Sequence, residues 1–247
     1  MNKTFSIVTI AKNALPELRR TFESLKNQTV KDFEWIVIDG ASNDGTRDWL
    51  SNLKKQNFGL VWESEKDDGI ADAWNKGIMR SAGEQVLILN AGDTYDSNMI
   101  EIFEKKISPN KITCANARLI DPIRQIQVGL FRAEPNKLWR GMHLPHNWCS
   151  VPLSFYKLYG GYPMMKYAMD FSWFHRLYKS NGVDSFQCID LDLGNYYLGG
   201  LSDKNYIESF SYNRKVLIDN GRGFFSAFLI FLLYVLKHYI KRVNVKK

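Results

Sequence analysis

Three short segments carry carboxylates whose placement suggests shared chemistry. They are Asp39-Gly-Ala-Ser-Asn-Asp-Gly-Thr46, Glu65-Lys-Asp-Asp-Gly-Ile-Ala-Asp72 and Leu89-Asn-Ala-Gly-Asp93. Each also has a local explanation. Asp44 suits a turn, Asp67 or Asp68 suits the cap of a helix starting near Ile70, and Asp72 complements that helix's N-terminal dipole. Yet every segment follows an apolar run that reads as a strand. Carboxylates gathered at one sheet edge repel each other unless a cation or hydrogen-bond donors compensate. Hard oxygen ligands suit Mg²⁺ or Mn²⁺, and a divalent ion holding a diphosphate is the chemistry this pattern suggests.

The elements that would hold these segments alternate in type. Phe5-Ser-Ile-Val-Thr-Ile-Ala11, Glu34-Trp-Ile-Val-Ile-Asp39, Leu60-Val-Trp-Glu63 and Gln85-Val-Leu-Ile-Leu89 read as strands, apolar on both faces. Between the first two, Pro16 stands at a first helical position and Leu18, Phe22 and Leu25 recur at i, i+4 and i+7. Further helices are expected through Trp49, Leu50 and Leu53, and over residues 70–81. This alternation predicts a parallel sheet covered by helices, with ligands outside the carboxyl ends of its strands. The second half is less regular. A strand is expected over 111–120, a Pro/Trp/His-containing stretch runs over 133–151, and helices are expected over 170–179 and 204–219. With no repeat and no linker-like composition, one mixed α/β domain with a C-terminal extension is the simplest partition.

Composition narrows the classes. The 247 residues are 45% apolar and 24% charged, which excludes a disordered, collagenous or coiled-coil chain. Six of the 33 Lys/Arg lie from Arg222 onward with no acid among them, so the first 221 residues hold 27 bases against 26 acids. A near-neutral body with a cationic tail argues against a nucleic-acid partner. Cys114, Cys149 and Cys188 have neither CxxC nor Cys/His ligand spacing, which favours reduced thiols in a cytoplasm. The N-terminal apolar run reads as a buried strand rather than a signal segment. Ala11-Lys-Asn-Ala-Leu15 lacks the Gly-x-Gly-x-x-Gly turn of dinucleotide enzymes, and no P-loop or Gly-x-Ser-x-Gly elbow occurs.

Ser6-Ile-Val-Thr-Ile-Ala11 and then Trp35-Ile-Val-Ile-Asp-Gly-Ala-Ser-Asn-Asp-Gly-Thr46 resemble the opening of family 2 glycosyltransferases. Asp68-Gly-Ile-Ala-Asp-Ala-Trp-Asn-Lys-Gly77 and Val86-Leu-Ile-Leu-Asn-Ala-Gly-Asp93 are similar to the same family in its bacterial surface-polysaccharide branch. The resemblance is dense to about residue 100 and thinner to about 215. It implies a GT-A fold: a mostly parallel central sheet flanked by helices, with a nucleotide-sugar-binding half (1–106) and an acceptor-binding half (107–221). By the same resemblance, Thr9 and Ala11 approach the nucleoside by backbone, and Asp39 accepts a hydrogen bond from the base. Asp68 lies beside the nucleoside, with Asn75 and Lys76 on the helix behind it. Asp93 ligates Mn²⁺ or Mg²⁺ bridging the donor diphosphate. The family often has Asp-x-Asp there, whereas this chain reads Asn90-Ala-Gly-Asp93, so the first carboxylate is replaced.

Tyr167-Ala-Met-Asp-Phe-Ser-Trp-Phe-His-Arg-Leu177 resembles the segment in which an acid opens a helix and an Arg follows six residues on. Asp170 is thereby the expected general base of an inverting transfer, the alternative being a helix cap. His146, in Leu144-Pro-His-Asn-Trp148, is placed at donor phosphate or acceptor, with a packed loop histidine as the alternative; His175 reads as structural. Gly199, Gly200 and Ser202 belong to a Gly-rich loop expected to close over the diphosphate. The implied donor is a nucleotide-sugar, UDP-linked, and the implied acceptor a saccharide on a polyprenyl diphosphate. Absence of Gln-x-x-Arg-Trp after Asp170 favours non-processive transfer. A competing expectation is an inactive membrane-docked scaffold subunit that keeps the fold: Asn90 favours it, while Asp93 and Asp170 oppose it.

Residues 224–236 are almost wholly apolar, and the chain after them is basic. Thirteen helical residues span roughly 20 Å, against a hydrocarbon core of roughly 30 Å. A helix lying in the inner leaflet with its basic residues on anionic head groups is therefore expected over 222–247, in a protein peripheral on the cytoplasmic face of the inner membrane. The alternative is a helix packed on protein.

Overall fold

Alternate residues of the first strands go to opposite sides of the sheet, because successive side chains of a strand point to opposite faces. Ile7, Trp35 and Val37 pack with Leu18 and Leu25 on one side, while Val8, Ile36 and Ile38 pack with Ala71 and Trp74 on the other. A computed structural model describes residues 4–56 and 58–245, the last five by backbone alone. Its first half is β1 (Phe5–Ala11), α1 (Leu15–Lys26), β2 (Phe33–Asp39), α2 (Thr46–Lys54), β3 (Leu60–Ser64), α3 (Ile70–Met79) and β4 (Gln85–Ile88). β3, β2, β1 and β4 lie side by side and parallel. Gly77 lets α3 rest directly on β1, since a Cβ there would overlap a Val8 methyl.

The second half continues with β5 (Thr94–Tyr95), α4 (Met99–Lys106), β6 (Ile112–Asp121), β7 (Ile126–Phe131), β8 (Cys149–Pro152) and α5 (Leu153–Tyr159). After these come α6 (Met169–Asn181), β9 (Phe186–Tyr197), α7 (Leu201–Lys204), α8 (Tyr206–Asp219) and α9 (Phe224–Val245). The sheet order is β3-β2-β1-β4-β8-β6-β9-β5, with β7 a hairpin partner on β6. The parallel arrangement expected from the first-half alternation holds there. Beyond β4 the sheet is mixed: β8 runs antiparallel to both β4 and β6, and only β6 with β9 is parallel. Four of the eight pairings among the described residues are parallel. The physical reason is the connection: β8 leaves a loop with two short 3-10 turns instead of a crossover helix.

The expected strands and helices of the first half are all present. The helix expected over 204–219 begins after a break at Asn205. α9 is longer than the apolar run alone, and no helix among the described residues is long and apolar enough to cross a membrane. Cys114, Cys149 and Cys188 are all free thiols.

Candidate functional site

The carboxyl ends of β1, β2 and β4 bring the expected segments to one edge, and each is tied down locally. Asp39 is fully buried. Its carboxylate accepts bonds from the Ser42 N–H (3.0 Å), the Ser42 hydroxyl and the Ser64 hydroxyl (2.6 Å), which joins the β2 and β3 ends. Gly40 N donates to the Ala11 carbonyl at 2.8 Å. Thr9 is buried, its hydroxyl accepting from Trp35 Nε1 at 2.9 Å. Asp39 and Thr9 thus brace the edge from within, and the backbone at Ala11 carries the β2 turn.

Asp68 is exposed, and its N–H donates to Asp72 at 3.0 Å. Lys76 bridges Glu65 (2.6 Å) and Asp72 (2.9 Å), and those two carboxylates hold its ammonium above the usual range. Asn75 clasps the backbone of Tyr162, its amide donating to the carbonyl at 2.9 Å and accepting from the N–H at 2.8 Å. In this arrangement Lys76 and Asn75, both on α3, make protein contacts. The carboxylates do not pool into a metal cluster either: no group of three or more His, Cys, Asp or Glu among the described residues could hold an ion. Hydroxyls, amides and Lys76 have already met the repulsion expected of them.

Replacing Asn75 with Ala strips both bonds from Tyr162. Leaving two backbone groups unpaired costs about 2–4 kcal/mol, and at about 2–4 °C per kcal/mol for a chain of this size the melting temperature falls by roughly 4–15 °C. Differential scanning calorimetry reads the loss, and an unchanged midpoint rejects the clasp.

Asp93 is different. It is only 6% exposed and forms no ion pair among the described residues. Its carboxylate accepts from Tyr197 N–H at 2.8 Å and from the Asn147 side-chain amide. Burial pushes its pKa up to about 7, against the opposing pull of those two donors and of the Arg20 guanidinium. Arg20 itself lies over the Tyr197 ring, 4.4 Å from its centroid. Asn90 joins the same network, donating to Asn147 Oδ1 at 3.2 Å and accepting from Trp74 Nε1 at 3.2 Å. Gly194 makes this geometry possible, because a Cβ there would collide with the Thr94 carbonyl and hold β9 away from β5.

Asp170 lies in the first turn of α6, after Ala168 in the left-handed region at φ +60°. Its carboxylate accepts from Phe171 N–H at 2.8 Å, and burial raises its pKa above the ordinary carboxylate range. The helix is anchored by Trp173 Nε1 donating to Gly160 O at 2.7 Å, next to the turn that Asn75 clasps. Burial, and then the charges of Asp93, Asp170 and Asp203, push the Tyr196 hydroxyl up. Gly199 N donates to Asp203 at 3.0 Å, and Gly200 and Ser202 are exposed beside it.

His146 is packed among aromatic side chains. Its Nε2 pairs with the Tyr162 hydroxyl at 2.7 Å, and Trp74, Tyr162 and Phe174 surround the ring. Burial lowers its pKa to about 3, so it is a neutral core residue. Its neighbour Asn147 is the residue that reaches Asp93. Asn147, Tyr197 and Arg20 were not legible as site residues, although Asn147 stands inside the Leu144–Trp148 segment.

The computed structure resembles residues 1–349 of Staphylococcus aureus TarS, solved in complex with UDP-GlcNAc. The match covers 96% of this chain and 72% of that one, at a TM-score of 0.68 and 14% identity. A mannosyltransferase of Pyrobaculum calidifontis, solved with GDP-Man and Mn²⁺, superposes over 100% of this chain and 89% of its own, at a TM-score of 0.62 and 13% identity. Likeness at such identities shows the fold, which is of the GT-A type. In sequence, a PGL/p-HBAD biosynthesis glycosyltransferase of Mycobacterium tuberculosis is 35% identical over 99 residues, 39% of this chain and 38% of that one. The putative teichuronic acid biosynthesis glycosyltransferase TuaG of Bacillus subtilis is 32% identical over 98 residues, 39% of this chain and 38% of its own. The chain thus aligns with less than two fifths of the length of these relatives. The family model for glycosyl transferase family 2 covers residues 6–139, more than half of the 247, and the chain belongs to that family.

Proposed function

We propose that this chain transfers one sugar from a nucleotide-sugar, UDP-linked, to a saccharide carried on a polyprenyl diphosphate, in assembly of a bacterial cell-surface polysaccharide. The observation that carries the reading is a match to family 2 over residues 6–139 in a chain that holds Asp93 just after β4 and Asp170 in the first turn of α6. Asp170 takes the proton of the acceptor hydroxyl while that oxygen attacks the anomeric carbon. The bond from that carbon to the nucleoside diphosphate breaks on the opposite face, which inverts the anomeric centre. The names of the relatives support a place in polysaccharide or glycolipid assembly, and the ligands of the structural neighbours support a nucleotide-sugar donor.

A divalent metal would fit at Asp93, whose buried carboxylate forms no ion pair among the described residues, feels only the more distant charge of Arg20, and offers hard oxygen. Such an ion, Mn²⁺ or Mg²⁺, neutralises charge on the departing diphosphate. The protein supplies one carboxylate where the family often has two. The loop at Gly199, Gly200 and Ser202 covers the diphosphate, and the turn after Asp39 together with Asp68 faces the nucleoside.

The C-terminal helix supports docking on the cytoplasmic face of the inner membrane. Phe225, Leu229, Leu233, Leu236 and Ile240 repeat along one exposed face of α9, a spacing that makes a continuous apolar stripe. The opposite face packs on the domain, with Tyr234 on His143 at 2.6 Å and His238 on Asp203 at 3.4 Å. Lys246, Lys247 and the side chains of Lys241 and Arg242 lie outside the described residues.

A thermal-shift screen against UDP, GDP and dTDP, each with Mn²⁺ and with chelator, tests the donor site. At a hundred times its dissociation constant a ligand stabilises by about 2.7 kcal/mol, or roughly 5–10 °C here. A shift with one nucleotide that chelator removes is expected. Asn90 favours the second reading, an inactive membrane-docked scaffold subunit, and no shift with any nucleotide in folded protein would decide for it.

A further inference from the structure

A cavity away from Asp93 and Asp170 opens where α6, α8 and the start of α9 meet. His175, Lys179, Arg222 and Ser226 line it together with Trp139 and Tyr178, and no carboxylate does. Like charges crowd here without a counter-ion. Lys179 and Arg222 lie close enough to His175 to hold its imidazole in the neutral form, after burial itself. The turn Gly221-Arg222-Gly223 then delivers the N-terminus of the 22-residue α9 to the same place. First-turn amides of a helix lack acceptors within it, and the helix dipole adds positive potential there.

A second observation is independent of the helix end. His175 is 95% buried, lines the cavity, and has a ring nitrogen, Nδ1, with no hydrogen-bond partner. Buried polar atoms are normally satisfied, which makes this one an exception in the wall of the cavity. Lys179 Nζ holds Asn220 O at 2.6 Å and Arg222 holds Ser226 Oγ at 2.9 Å, which fixes both cations at the rim. Arg222 is held further by the face of Trp139, 4.9 Å from its ring centroid.

We propose that this cavity binds the phosphate group of an anionic ligand, with Lys179, Arg222, Ser226 and the first amides of α9 as donors. Several donors from different directions suit a tetrahedral anion. Two sources share this chemistry, a phospholipid head group and free phosphate. The apolar stripe that begins at Phe225, next to the cavity, favours the lipid, whose chains would lie along α9. The site stands apart from the sugar-transfer reading and survives its failure.

The full chain is titrated in solution with inorganic phosphate and, separately, with monomeric dihexanoylphosphatidylglycerol, at matched ionic strength. The ring signal of His175 is followed by NMR. It is assigned by its loss in His175→Asn or, if that variant does not fold, by elimination among the four histidines. A saturable shift is expected, weakened at least about tenfold in Lys179→Gln/Arg222→Gln. The same signal should be unaltered in Lys215→Gln/Lys237→Gln, which removes two charges from α8 and α9 outside the cavity. Saturation by the short-chain lipid at concentrations where phosphate is silent assigns the site to a head group. Equal saturation by phosphate assigns it to the free anion. No saturable shift with either, or a shift indifferent to Lys179→Gln/Arg222→Gln, overturns the proposal.

Discussion

Asp170→Asn lowers kcat for sugar transfer by about 10²–10⁴-fold and leaves the nucleotide-dependent thermal shift intact. The magnitude is that of general-base assistance, and the split between turnover and binding follows from position. Asp170 opens α6 and shares no hydrogen bond with the network of Asp93, Asn147 and Tyr197, so its loss removes a proton acceptor without touching the expected metal ligand. The amide keeps the shape, and its oxygen still accepts from Phe171 N–H. The pH dependence has a fixed sign. Burial raises the carboxyl above its ordinary range, and only the ionised form accepts a proton. The wild-type rate therefore falls on acidification through a pKa above the usual carboxylate value, and the variant lacks that limb. Folding offers a control: a carboxyl whose ionisation burial disfavours gives up no stability at neutral pH when amidated. Wild-type kcat in folded Asp170→Asn would end the assignment, and so would loss of the nucleotide shift alongside turnover.

The parts of the fold that were legible in the sequence are those built from local pattern. β1 to β4 are apolar runs bounded by Gly, Asn and Asp, and α1 announces itself through Leu18, Phe22 and Leu25. β7 and β9 were not legible, because their polar, half-exposed residues carry no continuous apolar run. β8 is only four residues long, and nothing local says that it inserts between β4 and β6. The site divides in the same way. Asp93 follows β4 and Asp170 opens α6, the elements that their segments implied. Asn147 and Arg20 act on Asp93 through approaches far apart in the chain, which spacing does not encode. His146 shows the converse. A histidine beside Pro and Trp has the chemistry of a site residue, yet Tyr162, Phe174 and Trp74 close around it and leave it neutral. Asn75 and Lys76 were legible as buried or paired polar groups but not as to whom they serve, since the answer lies with Tyr162, Glu65 and Asp72.

Asp93→Asn makes the metal-free protein more stable at pH 8 while abolishing its response to nucleotide with Mn²⁺. Both effects come from one buried carboxylate. In the folded chain burial holds its pKa up to about 7, against an ordinary aspartate value of 3.8. Between those values the folded state keeps a proton that the unfolded chain releases. Stability therefore declines as pH rises through that window and levels off above it. Three units at about 1.4 kcal/mol each give about 4 kcal/mol, or roughly 8–16 °C for a chain of this size. Asn carries no such titration. Its carbonyl accepts from Tyr197 N–H as the carboxylate did; Asn147 reverses its amide to meet the new donor and gives up the bond it accepts from Asn90, a cost of about 1 kcal/mol that is smaller than the cost of the buried charge. In chelator, wild type melts progressively lower from pH 4 to pH 7 while Asp93→Asn stays comparatively flat, so the two separate most at pH 8. With Mn²⁺ and the donor nucleotide the order turns over, because only the carboxylate repays its own burial by holding a cation. A variant that melts lower than wild type in chelator at pH 8 would mean that the carboxylate is a structural acceptor. A variant that still shifts with Mn²⁺ and nucleotide would mean that the ion sits elsewhere.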